Sequence, residues 1–335
     1  MTKTFRAAVI GLGAMGKNHA RVCAELPNVT LCAVADISAA VAAEAADKYR
    51  CQHYADHNLL LEVEQPDFVV IAVPTVFHRV VALDAIRRGV NVLIEKPIAL
   101  NQADADTIIA AAQSANVTLA VGHIERFNPA VLDLKSRLNL GELGRVLHIE
   151  ARRQGPFPTR IQDVGVITDL AVHDVDLIRF ITGAEVSRVY AETTQRVHQT
   201  HEDLVRATLK MTDGTVCSLS IDWLTPTKIR ELIVTGERGM FHVNLLTQDL
   251  TLFENGVSED HRTHEMAILR GITEGKVVKH VIAKREPLRA EIESFCNSLQ
   301  NHTTLAASGA DGKHAVSIAQ AMLRSSKLHS VETLG

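Results

Sequence analysis

Aromatic residues make up only 4% of the 335-residue chain, with a single tryptophan, so a core has to be assembled from Ala, Val, Leu and Ile. The five cysteines (Cys23, Cys32, Cys51, Cys217, Cys296) form no Cys-x-x-Cys pair, and their number is odd. That pattern argues against a disulfide framework or a zinc knuckle and fits reduced thiols in a cytoplasmic protein. No apolar run approaches the roughly 18 to 20 residues that a membrane helix needs. The opening Met1 to Arg6 leads straight into a strand-like run, without the layout of a signal peptide. Charge of one sign is also missing: 35 Lys and Arg against 39 Asp and Glu leave a net −4. That balance gives no basis for a nucleic-acid coat or a basic membrane-binding surface.

What the chain does have is 46% apolar and 22% charged residues, ordinary for globular proteins. Its length predicts about two domains at roughly 150 residues each. Up to about residue 124, apolar strand-like runs alternate with helix-like runs: Arg6–Ile10, Val29–Ala35, Asp67–Val73, Asn91–Ile94 and Val117–Val121 are strands, with helices between them. Ser38 and Asn101 are candidate helix caps. Unbroken apolar strands separated by helices predict an α/β architecture, an N-terminal Rossmann doubly wound parallel sheet. From Arg145 the strands alternate inside and outside instead, with a hairpin turn at Thr212-Asp213-Gly214. This predicts a C-terminal α/β domain with a large open, mostly antiparallel sheet. The expected division is 1–124 for cofactor binding and 125–335 for substrate binding and oligomerisation. An open sheet face makes a homodimer or homotetramer the expectation.

Gly11-Leu12-Gly13-Ala14-Met15-Gly16 is a G-x-G-x-x-G turn between a strand and a helix, and Asp36 ends the next strand 20 residues after Gly16. In that context the pattern is a dinucleotide fingerprint. Gly11 permits the tight turn, Gly13 admits the pyrophosphate, and Gly16 lets helix and strand pack closely. The helix start at Ala14 and Met15 offers N–H donors to an anion. Asp36 can hold a ribose and repels a 2′-phosphate, and Ile37 and Ser38 follow it rather than an arginine, so NAD is expected over NADP. Two more strand ends should border the cofactor: Val73-Pro74-Thr75 with His78, and Glu95-Lys96-Pro97.

These motifs, followed by Asp169-x-x-x-His173, resemble the Gfo/Idh/MocA oxidoreductases across nearly the whole chain. The resemblance implies a nicotinamide cofactor and hydride transfer at a sugar or polyol hydroxyl, with no metal. It implies that Lys96 hydrogen-bonds the reacting hydroxyl, that His173 is the acid/base, and that Asp169 lies one turn before it. The residues agree independently, since Asp169 and His173 fall on one face of a predicted helix over Thr168–Thr182. An imidazole beside a carboxylate can accept a proton near neutrality.

Gly122-His123-Ile124-Glu125-Arg126-Phe127-Asn128-Pro129 and Gly155-Pro156-Phe157-Pro158-Thr159-Arg160 resemble a sugar-nucleotide branch of the family. That branch oxidises the 3-hydroxyl of UDP-N-acetylglucosamine. Between Arg145 and Ile161 there are four arginines and one acid, Glu150, and arginine forks suit a diphosphate. Arg126, Asn128, Arg153 and Arg160 are therefore the expected substrate ligands beside Lys96, Asp169 and His173. A free-polyol or inositol dehydrogenase whose arginines only decorate the surface stays open, as does a non-catalytic dinucleotide sensor.

Overall fold

The computed structural model describes residues 3–158, 164–256 and 274–334. Two compact units divide the chain: Met1–Phe127 with Arg285–Gln320, and Asn128–Lys284 with Ala321–Gly335.

The first unit is built on six parallel strands, β1 (Phe5–Ile10), β2 (Val29–Ala35), β3 (Gln52–Tyr54), β4 (Phe68–Ile71), β5 (Asn91–Glu95) and β6 (Leu119–Gly122). Their spatial order is β3-β2-β1-β4-β5-β6, the doubly wound arrangement whose order reverses between β1 and β4. Each strand divides its apolar side chains between two cores with period two. Ala8, Ile10, Val69, Ile71, Val92 and Ile94 face one, and Ala7, Val9, Phe68, Val70 and Leu93 face the other. Burial on both faces is why these strands read as unbroken apolar runs. The connecting helices are α1 (Ala14–Glu25), α2 (Ala39–Tyr49), α3 (His57–Glu64), α4 (His78–Arg87) and α5 (Gln102–Ser114). Ser38 and Asn101 cap α2 and α5 through their side-chain oxygens.

The second unit carries nine strands: β7 (Val146–Pro156), β8 (Val186–Thr194), β9 (Leu204–Met211), β10 (Val216–Asp222), β11 (Leu224–Gly236), β12 (Gly239–Asn244), β13 (Asp249–Asn255), β14 (Glu274–His280) and β15 (Glu332–Thr333). Their order is β14-β13-β12-β11-β7-β10-β9-β8-β15, antiparallel except for the β7–β10 pair. Helices α6 (Pro129–Asn139) and α7 (Val172–Thr182) belong to this unit. On β7, Ile149, Ala151 and Arg153 are buried while His148, Glu150 and Arg152 are half-buried, so one face of the sheet is covered and the other is open. The β7–β11 register slips between Leu224 and Ile229, which releases Thr225–Lys228 from regular pairing.

The division into units departs from the expected 1–124 and 125–335. Helices α8 (Pro287–Asn301) and α9 (Gly309–Leu328) follow β14 of the second sheet in sequence, yet α8 packs on the first sheet. The reason is its stripe of Leu288, Ile292, Phe295 and Cys296 at helical spacing, which completes the core around Phe5, Val9 and Phe68. Fully burying each such side chain contributes roughly 1.5–3 kcal/mol.

α8 also carries an oddity. Glu291 is 2% exposed, lines a small cavity with Leu93, Ala120, Phe127 and Phe295, and neither carboxylate oxygen has a hydrogen-bond partner among the described residues. Burial, then the nearby Glu95 charge, push its carboxyl well above the usual range. The folded state therefore holds a proton that the unfolded chain releases above about pH 4.5, so stability falls as pH rises toward the folded-state value. Glu291→Gln removes this dependence. Urea titrations should show the variant gaining on the parent by up to about 1.4 kcal/mol per pH unit between pH 5 and 7. A constant difference over that range would show that Glu291 is already ionised in the fold.

Candidate active site

The chain leaves β1 through Gly11, whose φ is +90° and where a Cβ would lie 2.7 Å from the carbonyl carbon of Ala72 and the nitrogen of Val73. A Cβ on Gly16 would lie 1.8 Å from the Gly11 carbonyl oxygen. At Gly13 the situation reverses, for a Cβ there meets nothing within 4 Å. Gly13 is the N-cap of α1, offers no side-chain acceptor to the helix, and is followed by a first turn without an acid. The N–H groups of Ala14, Met15 and Gly16 at that terminus are thus not served by a capping side chain, the condition in which a helix start binds an anion.

Asp36, just past β2, is tied to this turn. One carboxylate oxygen accepts from the Leu12 N–H at 2.8 Å and the other from the Ser38 N–H at 2.9 Å. Each keeps lone-pair capacity for a ribose hydroxyl. An anion-ready helix start, an open approach at Gly13 and an oriented carboxylate fit a dinucleotide with an unmodified adenosine ribose.

Two further loops leave the same ends of the parallel strands. After β4 the chain passes Val73 and the exposed Pro74 into a 3₁₀ turn, Thr75–Phe77, and then α4. After β5 comes Lys96, half-buried, joined to Pro97 by a cis peptide. Glu95 and His78 lie beneath these loops. Glu95 is 8% exposed, with one oxygen 2.8 Å from Nε2 of His19 on α1 and the other accepting the Lys96 N–H at 3.1 Å. Burial works against its charge, but His19 and Lys96 outweigh it and hold the carboxyl below its ordinary value. His78 is 1% exposed, with Nδ1 2.9 Å from the Pro97 carbonyl and Nε2 2.9 Å from the Val73 carbonyl. The sequence nominated both as cofactor ligands. In the fold their polar atoms are hydrogen-bonded to protein groups.

In the second unit, Asp169 sits in a single π-helical turn, Ile167–Ala171, which runs directly into α7 with His173 in its first turn. Both side chains are half-buried. Isolated π turns recur at functional sites. Glu202 secures the start of this element, accepting the Ile167 N–H on its side chain at 3.0 Å and the Val166 N–H on its carbonyl at 2.9 Å. Its carboxylate fills the space where a Cβ on Gly165 would be. Burial pushes the Glu202 carboxyl upward.

Residues 5–123 match the oxidoreductase family with an NAD-binding Rossmann fold, and residues 131–242 match the Gfo/Idh/MocA C-terminal domain. The chain is 32% identical over 315 residues to the UDP-N-acetylglucosamine 3-dehydrogenase of Acidithiobacillus ferrooxidans, an alignment covering 94% of this chain and 95% of that enzyme. This chain belongs to the Gfo/Idh/MocA oxidoreductase family. The solved structure of the Acidithiobacillus enzyme superposes with a TM-score of 0.85 at 31% identity, over 97% of this chain and 98% of that one. An inositol 2-dehydrogenase of Rhizobium meliloti is 25% identical over 329 residues, covering 96% of this chain and 97% of the relative. The first unit is accordingly an NAD-binding domain.

Within this Gfo/Idh/MocA member, the arginines expected to hold a diphosphate are otherwise engaged. Arg126 is 5% exposed, donates to the Ala306 carbonyl at 2.6 Å and pairs with Asp311 at 3.0 Å. Burial opposes the Asp311 charge, but Arg126 and Ser308 hold that carboxyl well below its usual range. Arg153 is 4% exposed and bonds Asp174 through Nε at 2.8 Å. Asn128 caps α6 by accepting from Ala130 and donates to the Leu245 carbonyl. A local excess of arginine reads the same in sequence whether it faces a ligand or a buried acid, and Asp174 and Asp311 are distant along the chain. Arg160 lies outside the described residues. The sequence reading did not name Arg230, on β11 opposite Arg153, half-buried and donating through Nη1 to the Gln154 and Ile229 carbonyls, or the exposed Lys228. Both lie beside Gly155, where a Cβ would be 3.6 Å from the Lys228 side chain and 3.9 Å from Arg230.

Asp36→Ala should weaken NAD about tenfold or more, the scale of a lost bond to a charged group, and narrow its advantage over NADP. Calorimetric titration with both dinucleotides reads this, and equal affinities in the parent would remove the basis for selectivity. Arg126→Ala leaves the half-buried Asp311 carboxylate without its cation. It should cost about 2–3 kcal/mol of unfolding free energy in urea, whereas a ligand-binding role would leave stability unchanged.

Proposed function

We propose that this family member is an NAD-dependent dehydrogenase that oxidises the 3-hydroxyl of UDP-N-acetylglucosamine to a ketone. The observation that carries the reading is the end-to-end 32% identity to an enzyme of that name, against 25% to an inositol dehydrogenase aligned over similar length. NAD, when bound, accepts the hydride from the sugar carbon. Lys96 donates to the reacting hydroxyl, and its charge stabilises the developing alkoxide. His173 takes the hydroxyl proton, and Asp169, one turn before it, orients the imidazole. With Arg126 and Arg153 paired with acids, the exposed Lys228 beside Gly155 is the cation proposed to meet the diphosphate, and Arg160 follows the same loop in the chain.

The open face of the nine-stranded sheet, with alternate half-buried residues such as Glu150 and Arg152 on β7, supports a homodimer or homotetramer formed through it. The five unpaired cysteines suit a reducing cytoplasm. Among the described residues no helix is long and apolar enough to cross a membrane.

Incubation with NAD and either UDP-N-acetylglucosamine or myo-inositol tests the substrate, with NADH absorbance and product mass as readouts. The UDP-sugar should lose two hydrogens. His173→Ala and Lys96→Met should each slow that turnover about a hundredfold or more, with NAD affinity little changed. Equal efficiency with free inositol would replace the sugar-nucleotide reading with the polyol one.

A further inference from the structure

The geometry points to His78 as the positioning residue for Lys96: a buried imidazole that pins the main chain on both sides of the cofactor-binding crevice. This inference rests on the reading that Lys96 meets the reacting hydroxyl.

Lys96 is the first residue beyond β5, where strand hydrogen bonding ends and the chain must be held by other means. Two buried groups do so. On the N-terminal side, the Glu95 carboxylate accepts the Lys96 N–H and is itself held by His19 of α1, the helix that follows the glycine turn. On the C-terminal side, the Pro97 carbonyl lies 2.9 Å from Nδ1 of His78. Nε2 of the same ring reaches the Val73 carbonyl at 2.9 Å, so one side chain bridges the loop after β4 and the loop after β5. Neither ring faces solvent, since His19 is 0% and His78 is 1% exposed.

Proton count makes His78 more than a filler. A neutral imidazole has one N–H and one lone pair, yet both ring nitrogens of His78 face carbonyl oxygens. Burial pushes its pKa down, while the Pro97 and Val73 carbonyls push it up. Glu95 is the charged group acting on it and also raises its pKa, but burial outweighs these and the net shift is downward, toward the neutral ring. In the neutral form one carbonyl receives a hydrogen bond and the other faces a lone pair, so the ring's tautomer decides whether the lysine loop or the Val73 loop is the more firmly held. An apolar residue of similar size fills the space but holds neither loop. Glutamine keeps a donor.

The test reads Lys96 directly, without relying on the identity of the substrate. NAD-loaded protein is labelled with a limiting amine reagent across a pH series, and modification of Lys96 and of the exposed Lys48 is followed by peptide mass spectrometry. In His78→Leu, at saturating NAD, the Lys96 labelling rate should change by threefold or more, while Lys48 labelling stays as in the parent. His78→Gln should recover part of the parental behaviour, and it is the variant to read if His78→Leu does not fold. Unchanged Lys96 labelling in a folded variant overturns the proposal. With UDP-N-acetylglucosamine as substrate, His78→Leu should lower kcat tenfold or more with KM nearly constant. Lys96→Met in parallel separates the two ideas: if it leaves turnover intact, the role of Lys96 is wrong. If it abolishes turnover while His78→Leu matches the parent, the positioning role is wrong.

Discussion

Between β1 and β4, where the order of the parallel sheet reverses, the main chain passes too close to itself to carry side chains. Gly11 abuts the Ala72–Val73 peptide, and Gly16 abuts the Gly11 carbonyl. Those approaches bring α1 down onto the strand ends with its first N–H groups uncapped, and they leave Gly13 facing open space. Asp36 is drawn to the same turn through the Leu12 N–H. The dinucleotide site is therefore a property of backbone geometry, and the side chains around it refine its selectivity.

Behind that geometry lies a buried polar layer. Glu95 with His19 and His78 with two carbonyls are removed from solvent, and the buried Arg126 is paired with the half-buried Asp311. Arg153 with Asp174 plays the same part in the second unit. A buried charge left alone is strongly destabilising, while a paired one costs little and fixes one geometry. Loops that end a strand lack ladder hydrogen bonds, so these pairs supply the missing constraint. Glu291 is the exception, a carboxyl without a hydrogen-bond partner among the described residues, whose burial favours its neutral form.

Much of this was legible in the sequence. The unbroken apolar runs of β1, β4 and β5 marked a parallel sheet, because each residue is buried on one face or the other. Alternation from Val146 onward marked the half-open sheet for the complementary reason. Ser38 and Asn101 were recognisable caps, since their bonds reach only three residues along the chain. The glycine spacing and Asp36 predicted the dinucleotide, as the turn, the helix start and the next strand are consecutive.

Tertiary structure decided whatever depends on partners far apart in sequence. That α8 returns to the first sheet rests on the complementarity of its apolar stripe with Phe5, Val9 and Phe68. The π turn at Asp169 has no local signature, and Glu202, which secures it, lies beyond β8. Arg126, Arg153 and Asn128 were nominated from their neighbourhood in the chain, and only the fold shows that they also meet Asp311, Asp174 and the Leu245 carbonyl. Residue type and spacing determine which chemistry is available. Burial, and the identity of the one group across a packed interface, determine whether a given arginine, histidine or glutamate meets a ligand or holds the loop that does.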